Sequence, residues 1–314
     1  MGYPLKDREV VIEAKYKLAG TLSVPGGISK KVPGVLFIHG SGPVDRNENV
    51  KGIAINAFKY LAEDLTQLGF ATLRYDKRGI GKSEGNHLET GLWDLVDDAE
   101  QALKFLKSQP EVAADKIILI GHSEGCVIAP ALNARLAVQG MVLLAGIVGG
   151  VFDASQYQID QVFREIKEMK GLKGFMMRLL VNEKKARPKN DETLKKLFDS
   201  DKDIVKIKGR KVNAKWMREQ KAFVVDPVLA KAECPILAIT GSKDIQVHPE
   251  DAKRMGEIVK SPFEYHIIPD MNHLLRNQPE PPSILKIKKI YKKSVKKPLD
   301  PELIDVLNKW IVKI

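Results

Sequence analysis

KIILIGHSEGCVIAPAL, residues 116–132, passes from an apolar run through one tight polar turn into a second apolar stretch of helical character. Ile117–Ile120 has the length and branching of a buried strand, and the helix that follows begins without an intervening loop. Between them stands Gly121-His122-Ser123-Glu124-Gly125, the pattern G-x-S-x-G. A chain that turns this sharply strains its central residue, and the neighbouring positions must lack side chains so that the backbone can close. Ser123 Oγ is then expected to project beyond the strand end, with a helix N-terminus facing any negative charge that develops there. Ser123 is the candidate nucleophile. The competing reading is an ordinary glycine-rich βα turn.

Outward from this stretch, short apolar runs alternate with helical ones, which predicts an α/β fold with a mostly parallel central sheet and helices on both faces. Glu9–Lys15 and Leu18–Val24 open the chain as an antiparallel pair. Buried strands are expected at Val35–Ile38, Ala71–Tyr75, Ile117–Ile120, Val142–Leu144, Ile236–Ile239 and Tyr265–Ile268, and helices at 52–68, 90–108, 124–138 and 249–260. A closing helix starts with Asp300 as N-cap and Pro301 at its first position. The alternation stops at Gly149-Gly150 and resumes at Pro235. Residues 1–150 and 228–314 are therefore expected to form one domain, with 151–227 inserted as a helical cap without a buried strand. A separate second domain is the alternative, but a basic, modestly apolar stretch of this length makes a weak core alone.

A second motif is GVLFIHGSGPVDR, residues 34–46, in which a buried strand ends at His39-Gly40 and a Gly-Pro loop follows. A loop amide beside the nucleophile supplies half of an oxyanion hole, and the amide of the residue after the nucleophile supplies the rest. The candidates are the backbone N–H groups of Ser41, with Gly42 second, and of Glu124. HGSGPxDR, followed by RYDKRGIGKSEG at 74–85 and by GHSEG, resembles the bacterial carboxylesterases of the α/β-hydrolase superfamily that carry a helical cap. Cys126 departs from that likeness, since similar proteins usually have a second glycine after GHSEG. The resemblance implies an α/β-hydrolase fold, a triad in the order Ser, Asp, His, and an acyl-ester substrate.

The resemblance puts the acid in the loop after the strand PILAIT, at Asp244; the rival, Asp270, reads as a turn residue after Pro269. His273 alone among six histidines follows the last strand in an exposed loop downstream of Ser123 and Asp244, and is the candidate base. His39 and His122 are expected to be structural, His266 to pack in the core, His87 to lie in a polar turn and His248 to precede a helix start.

Hydrophobic residues make up 44% of the 314 and charged residues 29%, ordinary for a globular chain. The net charge of +11 is local. Residues 164–221 hold 19 Lys/Arg against 9 Asp/Glu, Lys286–Lys297 adds seven lysines, and the remainder is net acidic. Ile287, Tyr291 and Val295 within the lysine run fall on one helical face. That run is either a solvated basic face or, with the cap, a source of positive potential that attracts an anionic acyl donor or a negatively charged interface. The cap residues Phe163, Met169, Phe175, Met176, Met177, Trp216 and Met217 read either as an acyl pocket or as the cap's own core.

Gly81-Lys82-Ser83 is not a phosphate loop, because Asp76 stands where the required glycine would be. No metal or cofactor is expected. The lysine run lacks aromatic stacking platforms, so nucleic-acid binding is not expected. Without an apolar leader or a long apolar run, and with two unpaired cysteines, a cytoplasmic protein without stable membrane insertion is expected. The sequence thus points to a carboxylesterase acting on small short- to medium-chain acyl esters. A thioesterase or acyltransferase, or a serine aminopeptidase holding a substrate ammonium on carboxylates such as Glu165 and Glu168, shares the machinery. A non-catalytic ligand-binding module is the reading from another class.

Overall fold

A computed structural model describes residues 2–314. The strands are β1 (Leu5–Ile12), β2 (Leu18–Pro25), β3 (Val32–Ile38), β4 (Ala71–Tyr75), β5 (Val112–His122), β6 (Gly140–Leu144), β7 (Ile204–Ile207), β8 (Arg210–Asn213), β9 (Ile236–Gly241) and β10 (Phe263–Ile268). Eight of them form one sheet in the order β1-β2-β4-β3-β5-β6-β9-β10. β2 is antiparallel to both β1 and β4, and every other pairing is parallel. The mostly parallel α/β sheet expected from the sequence is borne out.

Strand alternation divides the core in two. Leu36, Ile38, Ile117 and Leu119 face one side, where α2 (Leu92–Ser108) and α3 (Gly125–Asn133) cover them. Val35, Phe37, Ile118 and Ile120 face the other, under α1 (Ala57–Gln67) and two later helices. β3 and β5 are buried on both faces, which is why these runs are continuously apolar.

Between β6 and β9 the chain adds α4 (Val151–Glu168), α5 (Gly171–Leu180), α6 (Glu183–Phe198), the β7–β8 hairpin, α7 (Ala214–Ala222) and α8 (Asp226–Leu229). The hairpin is a departure from the all-helical expectation. Its strands are only four residues long and at most half-buried, β7 mostly apolar and β8 mostly polar, too short for an alternation to announce them. What makes the turn is Lys208-Gly209, both at positive φ (48° and 79°). α6 continues through Pro188. The two ends of this segment meet where the Gly149 amide donates to Asp226 Oδ1 at 2.9 Å.

After β9 come α9 (Asp251–Arg254), α10 (Ile287–Ser294) and α11 (Pro301–Ile311). α10 and α11 complete the second face with Ile290, Tyr291, Leu303, Leu307 and Trp310. The expected cap is present: Asp300 accepts from the Glu302 amide at 3.0 Å. β1 starts four residues before the expected Glu9, because its register pairs Ile12 with Leu18 and leaves 13–17 as the turn. α1 starts at Ala57, not at 52. Asn56 sits in the left-handed region (φ 53°), and Asp45, Asn49 and Asn56 bond to one another, so that 45–56 becomes a loop fastened by side chains. That loop matters for the site.

Candidate active site

β5 delivers Ser123 to the carboxyl edge of the sheet. Its φ is 53°, a left-handed conformation that costs a non-glycine residue on the order of 1–3 kcal/mol. The flanking glycines make the turn possible. A Cβ on Gly121 would stand 2.4 Å from the Gly125 carbonyl oxygen, and one on Gly125 would stand 2.1 Å from that of Ile38. Cys126 fits beneath the turn, with Sγ 3.3 Å from the carbonyl oxygens of both Gly121 and Leu144.

Asp244 and His273 meet because the loops after β9 and β10 are laced together. Gly241 approaches Met271 so closely that a Cβ would lie 2.0 Å from its carbonyl oxygen. The Ser242 and Lys243 amides donate to Ile268 and Met271, and the Asp270 amide donates to Ser242 Oγ. His273 Nδ1 then lies 2.8 Å from Asp244 Oδ2. A carboxylate can only accept, so Nδ1 carries the proton and Nε2 presents a lone pair. The other oxygen, Asp244 Oδ1, accepts from the Gln246 and Val247 amides at 2.8 and 3.1 Å. Asp270 bonds Lys243 instead, at 2.9 Å.

Ser123 and His273 line one cavity of about 220 Å³. Gly40, Ser41, Val44, Glu48, Val50, Ile53 and Ile55 of the side-chain-fastened loop, with Gln246 and Tyr291, close it. Among the described residues, Ser123 Oγ and His273 Nε2 are not hydrogen-bonded to one another. The loop of His273 is held by Arg276, which is fully buried and donates to the carbonyls of Leu274, Ile55 and Lys297. Burial without a carboxylate partner lowers its pKa to about 10.

Sequence reasoning missed two buried ion pairs here. His122 Nε2 lies 3.0 Å from the His273 carbonyl, so it must donate, while Nδ1 faces Glu48 Oε2 at 3.5 Å. A carboxylate beside Nδ1 favours the protonated ring. Burial opposes that charge, but Glu48, the His273 carbonyl and Asp244 together raise the His122 pKa above its ordinary 6.5. Burial likewise opposes the Glu48 carboxylate, and His122 and the Gly40 amide hold its pKa below the usual value. His39, stacked edge-on against Tyr75, is driven down to about 4 by burial and stays neutral. His266 is not the core residue expected: on the edge strand β10 it is half-exposed and pairs with Glu264 at 2.7 Å.

The second pair concerns the two amides proposed for the oxyanion. Lys77 Nζ donates to the Gly40 carbonyl, more weakly to that of Gly42, and meets Glu124 Oε2 at 3.1 Å; both charged groups are at most 2% exposed. In a trans peptide the C=O and the next N–H point opposite ways, so holding the Gly40 oxygen aims the Ser41 N–H away from Lys77. Glu124 is held in turn by Trp216 Nε1 and by Gln220 Nε2 at 2.6 Å, both from α7. Lys77→Met should lower kcat about 100-fold with little change in KM, as expected for a misaimed oxyanion donor. It should also destabilise the fold by about 3–5 kcal/mol, because Glu124 is left buried and unpaired. Lys77→Met with Glu124→Gln, which keeps an acceptor for Trp216 and Gln220 and removes the lone charge, should restore part of the Tm and none of the kcat, which separates aim from stability.

Among known families, the chain matches the model of "Serine aminopeptidase, S33" over residues 52–280, well over half its length. The chain belongs to this family. Membership makes it a serine hydrolase with the α/β-hydrolase fold, as the carboxylesterase resemblance implied. A curated relative is the esterase EstD of Thermotoga maritima, 24% identical over 94% of this chain and 66% of its own length. Another is the polyketide transferase claH of Penicillium crustosum, 33% identical over a third of each chain. The chain thus spans less than two thirds of the curated relatives it matches. The fold of Est1E from Butyrivibrio proteoclasticus, solved with ferulic acid, is similar with a TM-score of 0.60 at 20% identity, covering 92% of this chain and all of that one. Mouse alpha/beta hydrolase domain-containing protein 10 aligns with a TM-score of 0.58 at 18% identity, over 98% of this chain and 99% of its own. The family match ends at Glu280, so α10, whose Tyr291 walls the cavity and bonds Gln246 Nε2 at 3.0 Å, lies beyond it.

Proposed function

We propose that the chain is a carboxylesterase of short- to medium-chain acyl esters, working through a serine acyl-enzyme, with residues 151–227 as a cap on a catalytic unit of 1–150 and 228–314. The observation that carries the proposal is Ser123 at positive φ, opening into the cavity lined by His273, whose Nδ1 is bonded to Asp244. His273 Nε2 takes the Ser123 proton as Oγ attacks the ester carbonyl; the contact tightens when substrate fills the cavity. The Ser41 and Glu124 amides hold the oxyanion, and the imidazolium protonates the departing alcohol. Water then attacks the acyl-serine with the same base, releasing the acid and Ser123. A cavity of about 220 Å³ supports a small acyl group.

The family's name raises the peptidase reading, but the carboxylates argue for esters. Glu48, the carboxylate lining the cavity, is engaged by the Gly40 amide and His122. Glu165 of the cap accepts from Ser283 Oγ and the Leu285 amide. Neither is free for a substrate ammonium; Glu168, the other cap candidate, is exposed at the end of α4 and is not among the residues lining the cavity of Ser123. Cys126 and Cys234 are both unpaired thiols, which supports a reducing compartment such as the cytoplasm. The test is a fluorophosphonate probe followed by a p-nitrophenyl ester series and amino-acid p-nitroanilides. Labelling at Ser123 with kcat/KM highest on short and medium esters is expected. An unlabelled protein, or faster anilide than ester turnover, overturns the reading.

A further inference from the structure

α5 is an amphipathic helix turned inside out. Leu172, Phe175, Met176, Leu179 and Leu180 fall at i, i+3, i+4, i+7 and i+8, the spacing of a face that ordinarily packs on a core. Here that face meets solvent: Leu172 is 78% exposed, Leu180 75%, Leu179 65% and Phe175 54%. The buried residue of the helix is Gly174, so close to the end of α4 that a Cβ would stand 1.9 Å from the Met169 carbonyl oxygen. Arg178 seals the same side by donating to that oxygen at 2.7 Å. The glycine side is therefore fixed to α4, and the apolar stripe cannot roll inward without losing that approach. The sequence alone read Phe175 and Met176 as pocket or core; they are neither. A contiguous exposed stripe of this size marks an interaction surface.

The surroundings of the stripe say what covers it. Lys167, Lys170 and Lys173 beside and on α5, and Lys184, Lys185 and Lys189 in the first two turns of α6 that follows it, are exposed, and among the described residues none of them has an acidic partner within ion-pair distance. Residues 164–221, with 19 Lys/Arg against 9 Asp/Glu, are net positive, which opposes the pairing of two copies through this segment. A bilayer with anionic headgroups suits both features: hydrocarbon for the stripe, negative charge for the lysines. Ten residues of helix span about 15 Å, half of a hydrocarbon core, so α5 lies in the interface and does not cross it. No helix among the described residues is long and apolar enough to span a membrane.

We propose that α5 and its flanking lysines dock the protein onto the surface of an anionic lipid bilayer, a role independent of the chemistry at Ser123. The experiment is co-sedimentation of the full chain with phosphatidylglycerol–phosphatidylcholine vesicles and with pure phosphatidylcholine vesicles. Binding to the anionic vesicles is expected, at least about tenfold weaker on neutral vesicles and in about 0.5 M salt. Leu172→Glu with Leu179→Glu should lower binding at least about tenfold with Tm unchanged, because both positions are exposed. Lys170→Glu with Lys173→Glu should weaken the anionic binding alone. No binding, or equal binding of the wild type and the leucine variant, overturns the proposal. So does a dimer in analytical ultracentrifugation that the leucine substitutions dissolve while vesicles bind neither form; the stripe then belongs to a second copy of the chain.

Discussion

Ser123→Ala should lower kcat/KM for p-nitrophenyl acetate by about 10⁵-fold without lowering Tm. Loss of the nucleophile leaves only binding and the oxyanion amides, which is the reason for so large an effect. Stability is spared because Ser123 is only partly buried and its hydroxyl holds no other element in place. Alanine inherits the left-handed φ of 53° and the strain that goes with it. Ser123→Gly should lose the same activity and raise Tm, since glycine adopts that conformation freely. Thermal melts beside steady-state kinetics check both. Residual turnover above about 1% in either variant removes Ser123 from the nucleophile's role.

The sheet was legible because each strand carries its own signal: doubly buried runs such as Ile117–Ile120 are continuously apolar wherever they sit in the chain. Helix starts were legible where a cap is local, as at Asp300-Pro301. The start of α1 was not, because Asn56 stops the helix through bonds to Asn49 that no apolar period reports. The same division runs through the site. Ser123 and His273 could be nominated because each lies just beyond a readable strand, and Asp244 because the resemblance places the acid in the loop after PILAIT; the structure brings Asp244 and His273 into contact and lines one cavity with His273 and Ser123. Lys77, Glu48, Arg276 and Tyr291 could not be nominated. Each acts on a partner distant in the chain, and nothing near Lys77 in sequence says that its ammonium will reach the Gly40 carbonyl. α5 shows a further limit. Periodicity tells which residues share a face, and only tertiary contacts tell which way that face is turned.

Asp244→Asn should cost about 10⁴ in kcat with Tm nearly unchanged, and the reason lies in two backbone amides. Asp244 Oδ1 accepts from the Gln246 and Val247 N–H groups. An asparagine must keep its oxygen there, since an NH₂ group facing two donors has nothing to accept with. Its NH₂ is then turned to His273 Nδ1, which must give up its proton and accept. The proton moves to Nε2, the nitrogen facing Ser123, and the base is lost with the geometry intact. Asp244→Ala should lose similar activity but also cost about 1–3 kcal/mol, because both amides become unpaired. Asp270→Asn should retain most activity, since Asp270 serves Lys243 and not the histidine. Nitrogen-15 NMR of the His273 ring reads the tautomer directly: Nδ1–H in the wild type, Nε2–H in the asparagine variant. An unchanged tautomer, or more than about a tenth of the activity left in Asp244→Asn, would remove Asp244 from the triad.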